Sequence, residues 1–171
     1  MENFSDFYCM RCGAQSVLLE NHKALRCSAC GFTYFHNVAT AVGAIIVCGD
    51  EVLLLERGKE PGKGQLGLPG GFVDPFESAE QALIREISEE TGIRVTQPLN
   101  YVGAWANQYP YGGVLYHTQD VYFEVALASK PSLTLQVAEV RAAHWVAREQ
   151  IDLNQLAFCS ARDALQHWLA G

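Results

Sequence analysis

Residues 68–93, LPGGFVDPFESAEQALIREISEETGI, form the most informative segment of this chain. Its first six residues, 68–73, carry the glycine pair of a turn and the apolar ending of a short strand. Residues 77–91 contain neither glycine nor proline and are rich in helix formers, and Gly92 follows as a stop signal. The stretch therefore predicts a turn, a short strand and one helix over 77–91.

Three glutamates of that predicted helix point toward the protein body. At about 100° per residue, Glu86, Glu89 and Glu90 share a sector of about 100°. The apolar residues Leu83 and Ile87 lie on the same side. Clustered like charges repel and partly buried carboxylates need partners, and a divalent cation would resolve both problems. Oxygen ligands of this kind favour Mg²⁺ or Mn²⁺, whereas a solvated acidic face conflicts with the apolar neighbours.

At these positions the sequence resembles the Nudix box. Gly71, Glu77 and the run REISEETGI at 85–93 match every specified position of the box, and the preceding LPGG at 68–71 is also typical. The resemblance implies a Nudix hydrolase domain over 37–171. It also implies Mg²⁺-dependent hydrolysis of a nucleoside diphosphate linked to another moiety, in the class of ADP-ribose, NADH or other dinucleotides.

The resemblance further assigns roles to single residues. It makes Glu86, Glu89 and Glu90 ligands of Mg²⁺ and leaves open which carboxylate is the general base. It makes Glu77 and Arg85 partners that orient these ligands. Arg85 lies four residues before Glu89 and eight after Glu77, a spacing at which one guanidinium group can brace one or both carboxylates.

Four of the six cysteines form two closely spaced pairs near the N-terminus. Each pair has two residues between its cysteines and a glycine directly after the second, which is typical of zinc knuckles. Residues 1–36 are therefore predicted to form a zinc ribbon, in which four thiolates make the Zn²⁺ structural and not catalytic. Two disulfides or four unrelated thiols are the alternatives. The predicted ligands are Cys9, Cys12, Cys27 and Cys30.

A zinc ribbon ahead of a Nudix domain resembles the NADH diphosphatase branch of the family. The Ser-Gln-Pro-Trp-Pro-Phe-Pro element that marks this branch is absent, and residues 105–113 read WANQYPYGG instead. NADH specificity is therefore left open. The aromatic residues of this segment are candidates for stacking on a base.

The substrate pocket is predicted from charge and aromaticity. The loop 57–67 is rich in glycine and carries three basic residues, which suit phosphates, although ordinary solvated loop charges have the same composition. Two downstream glutamates are candidates for a further metal ligand or the base, and the aromatic residues form either a base pocket or part of the core. The candidates are Arg57, Lys59 and Lys63 for phosphate, Glu124 and Glu139 for metal or base, and Trp105, Tyr109 and Tyr111 for the nucleoside base.

The rest of the pattern mixes strands and helices, which predicts an α/β/α sandwich around a mixed sheet. Ser160 is expected to be the N-cap of the last helix. The expected strands are 40–47, 51–56, 101–106, 115–126 and 141–146, and the expected later helices are 148–156 and 160–169.

Composition and charge limit the partners. A net charge of −7 repels a nucleic-acid backbone, so we expect a small nucleotide substrate and no nucleic acid. The longest apolar run, 39–48, is about half of the roughly 20 residues that a membrane-spanning helix needs. The N-terminus lacks a secretion signal, so the sequence predicts a cytoplasmic protein that does not act at a membrane. A homodimer is compatible with these features.

Two other classes of function compete with the hydrolase. A non-catalytic, nucleotide-sensing Nudix-like module could use its ribbon to dock a partner, but the intact box argues against this class. A zinc-ribbon adaptor for nucleic acid is disfavoured by the acidic charge. Mg²⁺-dependent phosphate release from nucleotide substrates separates the hydrolase from both.

Overall fold

The structure, a computed structural model, describes residues 7–15, 17–21, 24–35 and 37–171. The chain divides into two compact units, Met1–Val38 and Ala39–Gly171. None of the helices among the described residues has the length and apolar character needed to cross a membrane.

The N-terminal unit contains a three-stranded antiparallel sheet. Strand β1 spans Val17–Asn21, β2 spans Ala24–Cys27 and β3 spans Thr33–Phe35, in the order β1-β2-β3. β1 and β2 form the hairpin expected between the two cysteine pairs. Apart from cysteines, Ala24 and Leu25 are the buried apolar residues among those described in this unit. Apolar packing alone therefore contributes little to its stability.

The second unit is built on a seven-stranded mixed sheet. Its strands are β4 (Ala39–Cys48), β5 (Glu51–Arg57), β6 (Leu66–Gly67), β7 (Gly70–Phe72), β8 (Asn100–Tyr111), β9 (Val114–Leu127) and β10 (Val140–Ala147). The order is β10-β5-β4-β9-β8, with β6 paired to β5 and β7 paired to β4. β4 and β9 run parallel and the other pairs are antiparallel, which confirms the predicted mixed sheet.

One helix covers each face of this sheet. α1 spans Ala79–Thr91 and α2 spans Cys159–Ala170. β4 is buried on both faces, and successive side chains of a strand point in opposite directions. Ile46 therefore belongs to the apolar cluster under α1, and Ile45 to the cluster under α2. The predicted α/β/α sandwich is confirmed.

α1 is fixed at both ends by its own sequence. The Ser78 hydroxyl accepts the Gln81 N–H at 3.3 Å and the Gln81 side chain accepts the Ser78 N–H at 2.8 Å, which is a capping box. Gly92, at φ 73°, ends the helix. The helix begins two residues later than predicted because Glu77 stays outside it, where its carboxylate accepts the N–H of Asp74.

The predicted helix at 148–156 is wrong. The segment forms two short 3₁₀ helices, Arg148–Gln150 and Leu153–Gln155. Between them the Asp152 carboxylate accepts the backbone N–H of Asn154 at 3.0 Å. This bond begins a new turn and interrupts a continuous helix.

Two further expectations, the N-cap of α2 and the end of β8, differ from the structure. The N-cap of α2 is Phe158, and Ser160 is fully buried within the helix, where its hydroxyl donates to Asp120 of β9 at 2.6 Å. β8 continues to Tyr111, five residues beyond its predicted end, because β8 and β9 form a long hairpin.

Removal of the α1 cap should destabilise the domain. Ser78→Ala deletes the acceptor for the Gln81 N–H, and we expect the free energy of unfolding to fall by about 1 kcal/mol in urea titrations. Ser88→Ala is the matched control, because Ser88 is exposed on the same helix and its side chain takes no part in either cap. Equal losses in the two variants would contradict the assignment of the cap.

Candidate active site and metal centre

The predicted glutamates of α1 line a cleft of about 290 Å³. Of the described residues, six carboxylates and two basic side chains border it. The carboxylates are Asp74, Glu86, Glu89, Glu90, Asp120 and Glu139, and the basic side chains are Arg57 and Lys59. The cleft is therefore acidic, and an anionic phosphate substrate requires a cation to enter it.

Glu90 is the most unusual of these groups. Its side chain is only 9% exposed, and its Oε2 accepts the backbone N–H of Gly70 at 2.9 Å. Burial raises the pKa of Glu90 to about 8, with a further increase from the negative charges of Glu86 and Glu139 and an opposing decrease from the Gly70 N–H. A carboxyl group of this kind holds a proton near neutral pH unless a cation stabilises its charge.

Two consecutive glycines let this helix approach the strand that faces it. Gly70 adopts φ 149°, and a Cβ atom there would lie 2.0 Å from the Val42 carbonyl oxygen. A Cβ atom at Gly71 would lie 2.5 Å from Oε1 of Glu86. The glycine pair of the LPGG turn therefore makes space for the carboxylate of Glu86 and delivers the N–H that Glu90 accepts.

Arg85 links the carboxylates around the helix. It donates to both oxygens of Glu77, at 2.7 and 3.2 Å, and to the carboxylates of Glu86 at 2.8 Å and Glu89 at 3.2 Å. A further bond of 3.1 Å reaches the carbonyl of Phe72 on β7. Glu77 and Arg85 do not border the cleft, so their position suits the predicted orienting role.

The donor set fits Mg²⁺ or Mn²⁺. Glu86, Glu89 and Glu90 present only carboxylate oxygens, which these ions prefer. In the described part of the chain, these oxygens are not gathered within 4.8 Å of one another. Arg85 holds two of the three carboxylates and the Gly70 N–H holds the third.

The four cysteines meet the geometric requirement for zinc. Their sulfur atoms all lie within 4.8 Å of one another, and Cys9–Cys30 and Cys12–Cys27 are each 3.7 Å apart. A tetrahedron with zinc–sulfur bonds of about 2.3 Å has an edge of about 3.8 Å. A disulfide would bring two sulfurs to about 2.05 Å, and none of the four cysteines forms a disulfide.

The predicted substrate residues divide into two groups. Arg57, Tyr109 and Glu139 border the cleft together with Lys59. The Arg57 guanidinium donates to the carbonyl of Pro61 at 2.7 Å, and the Lys59 ammonium lies 2.5 Å from the Glu139 carboxylate. Both basic groups are thus held at the cleft by other residues of the chain.

The structure does not bring Trp105 and Glu124 to the cleft. The Trp105 ring packs against Tyr122 and His167, each at 5.8 Å between ring centroids. Glu124 accepts a bond of 2.5 Å from the indole of Trp168. Both side chains face α2, so Trp105 is a packing residue and Glu124 is a partner of the helix. Two further candidates, Lys63 and Tyr111, also lie outside the cleft lining.

Several cleft residues were not identified from the sequence, among them Phe72, Asp120 and Phe158. Phe72 and Phe158 flank Tyr109, with ring centroids 5.3 and 5.6 Å from it. Asp120 is buried at the cleft, between Thr118 and Tyr122 in alternate positions of β9. Asp120 lies in the continuous polar run 117–120, which gave no signal that this residue in particular borders the cleft. Phe158 lies far along the chain and had no signal either.

The second unit has a mixed sheet between two helices, and its glutamate-bearing helix lies against a Gly-Gly turn. These features together are typical of a Nudix domain. Residues 38–168 match the family model described as NUDIX domain, and the chain belongs to this family. The predicted family is confirmed.

The chain is also similar to individual proteins and solved structures of this family. The NAD-capped RNA hydrolase NudC of Haemophilus influenzae (strain PittGG) is 30% identical over 145 residues, which are 84% of this chain and 52% of that protein. A MutT NUDIX hydrolase from Burkholderia pseudomallei is 26% identical, with a TM-score of 0.67 over 77% of this chain and 98% of that one. The NUDIX domain of Shewanella oneidensis NrtR, complexed with ADP ribose, is 26% identical, with a TM-score of 0.62 over 80% of this chain and 88% of that one.

The chain spans about half the length of the curated relatives it matches. The name of these relatives includes an RNA substrate, which differs from the expectation that no nucleic acid is bound.

Magnesium binding should depend on pH through Glu90. Because burial raises the pKa of Glu90 to about 8, a cation must displace a proton below that pH. We expect the apparent Mg²⁺ affinity to rise by about tenfold per pH unit toward pH 8 and then to level off. Calorimetry in buffers of different ionisation enthalpy measures the proton released. Glu90→Gln should bind more weakly and lose this pH dependence, and a flat profile in the wild-type protein would contradict the assignment.

Proposed function

We propose that this chain is a divalent-metal-dependent pyrophosphohydrolase that cleaves the diphosphate linking a nucleoside to another moiety. The substrate class is ADP-ribose, NADH or another dinucleotide. The observation that carries the proposal is the buried carboxyl of Glu90, held by Gly70 at the floor of an acidic cleft beside Glu86 and Glu89. Buried acids of this kind need a cation partner, and family membership supports the chemistry.

Six charged residues at the cleft have proposed roles in this reaction. Glu86, Glu89 and Glu90 would hold the Mg²⁺ or Mn²⁺. A bound cation of this type neutralises phosphate charge and lowers the pKa of a coordinated water. Arg57 and Lys59 face the negative charge of the diphosphate, and Glu139, beside Lys59, is the candidate for the base or a further ligand.

The nucleoside base would bind among the aromatic rings of the cleft. Tyr109 remains from the predicted pocket, and Phe72 and Phe158 replace Trp105 as its neighbours. Stacking of one base on one such ring contributes about 1–3 kcal/mol. The Arg57 guanidinium lies 4.8 Å from the centroid of Phe158, so the basic side chain and the rings are adjacent.

The relatives' name adds a second candidate substrate, an NAD-capped RNA. Both candidates contain the same type of diphosphate, so the same carboxylates would serve. The net charge of −7 disfavours the RNA body, and we therefore propose the free dinucleotide. Rates on NAD and on a short NAD-capped RNA, compared at low and high salt, distinguish the two substrates.

A nucleotide-sensing module remains the alternative class. The NrtR domain that binds ADP ribose has a similar fold, and such a module would bind a nucleotide without turnover. Release of mononucleotides from ADP-ribose, NADH and diadenosine diphosphate in Mg²⁺ separates the enzyme from the sensor. Tight binding with no product would contradict the proposed hydrolysis.

Loss of the central carboxylate should abolish turnover while the fold is kept. Glu90→Gln preserves the shape of the side chain but removes one anionic ligand, and we expect kcat to fall by about 100-fold or more. Glu80→Gln is the matched control, since Glu80 is exposed on α1 and lies outside the cleft lining. Kinetics at saturating Mg²⁺ measure both variants. Wild-type turnover in Glu90→Gln would contradict the role of this residue.

We also propose that Cys9, Cys12, Cys27 and Cys30 bind one structural Zn²⁺. Purified protein should contain about one zinc per chain, with zinc–sulfur distances near 2.3 Å in an X-ray absorption spectrum. Cys27→Ser should lose the metal, because three thiolates remain. Cys48→Ser, in β4, should retain it, and equal zinc content in the two variants would contradict the site.

A further inference from the structure

A buried acid at the cleft, Asp120, lies outside the glutamate cluster of α1. It is only 6% exposed and sits on β9, opposite α1 in the sandwich. Its Oδ1 accepts the hydroxyl of Thr118 at 2.6 Å, and its Oδ2 accepts the hydroxyl of Ser160 at 2.6 Å. Both oxygens thus act as acceptors, as those of an ionised carboxylate do.

The direction of the neighbouring hydrogen bonds is fixed. The Ser160 hydroxyl has one hydrogen, which it donates to Asp120, so in its 2.9 Å bond with Tyr122 it must accept. Tyr122 therefore donates to Ser160, and Ser160 donates to Asp120. The hydroxyls of this network all direct their hydrogens toward Asp120, which remains the terminal acceptor.

Asp120 retains the capacity to accept a further donor. Each carboxylate oxygen has about two acceptor positions, and one on each oxygen is filled by a hydroxyl. Among the described residues, Asp120 forms no salt bridge with a basic side chain. Its side chain borders the cleft, so a ligand bound there can provide a further donor.

The surroundings of Asp120 suit a planar base and exclude a phosphate. Tyr109 and Phe158 present ring surfaces to the same cleft, and Asn107, 7% exposed, adds an amide beside Thr118 on the neighbouring strand. A buried negative charge repels phosphate oxygens. In the proposed arrangement the diphosphate would lie toward the carboxylates of α1, where a bound cation would offset their charge, and the base would lie toward Asp120.

We propose that Asp120 is a specificity-determining residue that selects a planar nitrogen heterocycle bearing an NH₂ donor. The amino group of adenine and the carboxamide of nicotinamide share this chemistry. The inference deepens the proposed function and rests on it, because the base is one end of the cleaved substrate. A base that offers only acceptors at this position would place its lone pairs against the oxygens of the buried carboxylate, and this repulsion disfavours its binding relative to a base that offers an NH₂ donor.

Binding of four mononucleotides to the full chain tests the proposal without requiring turnover. AMP is compared with the purine ribonucleotide that lacks the 6-amino group, and nicotinamide mononucleotide with nicotinic acid mononucleotide. Calorimetry in saturating Mg²⁺ gives the four Kd values. We expect the NH₂-bearing member of at least one pair to bind about tenfold more tightly or better, and the discriminated pair identifies which end of a dinucleotide Asp120 contacts.

Two variants separate selection from structural support. Asp120→Asn keeps the shape, but its single carbonyl oxygen is shared by the hydroxyls of Thr118 and Ser160, so the preference should fall to about threefold or less. Trp168→Phe removes the indole donor to Glu124, and neither of these residues borders the cleft or contacts Asp120. It should therefore destabilise the fold while the preference ratio stays at its wild-type value.

The outcomes are distinct from those of the proposed hydrolysis. Ratios near one for both pairs in the wild-type protein overturn the inference, whether or not the variants fold. An undiminished ratio in folded Asp120→Asn overturns it as well. If dinucleotides are cleaved in Mg²⁺ but no pair is discriminated, the role of Asp120 fails alone. If a pair is discriminated but no dinucleotide is cleaved, the proposed hydrolysis fails and the base preference stands.

Discussion

A carboxylate that is buried away from water must be stabilised by hydrogen-bond donors or by a cation. Glu90 is such a carboxylate, and the rest of the site depends on how it is stabilised. The apolar stripe of α1 carries the residue toward the sheet, where burial raises its pKa to about 8. The N–H that it accepts comes from Gly70, in a conformation and at an approach to β4 that no other residue tolerates. The LPGG turn and α1 thus line the same cleft, the turn with its backbone N–H and the helix with its carboxylates.

Arg85 meets the same constraint for the remaining acids. Its guanidinium reaches Glu77, Glu86 and Glu89, and it also joins the helix to the carbonyl of Phe72. Because Glu77 is held in this way from outside the helix, the loop before α1 is fixed as well. Arg85 therefore holds two carboxylates of the predicted metal set, and these two would have to move nearer to Glu90 to share one cation with it.

The other side of the cleft depends on β9, whose alternate residues face α2. Thr118, Asp120 and Tyr122 lie on that face, and on β4 the neighbouring position across from Tyr122 is Gly43, where a Cβ atom would lie 2.4 Å from the tyrosine ring. The absence of a side chain there makes space for the ring, and the ring supports the hydroxyl network of Asp120. β9 therefore carries both the packed ring of Tyr122 and the carboxylate of Asp120, which we propose selects the base.

The family, the glutamate helix and the cysteine pairs could be predicted from the sequence, because each is a local pattern in which the separation of residues along the chain fixes their separation in space. A helix places residues three and four apart on one face, and a two-residue spacer places two thiols at one point. Only the tertiary structure decided that Trp105 packs under α2, that Phe158 joins Tyr109, and that Ser160 is a buried donor rather than a cap. Those relations join β8, β9 and α2 across long separations, and side-chain chemistry alone does not reveal which partners the fold brings together.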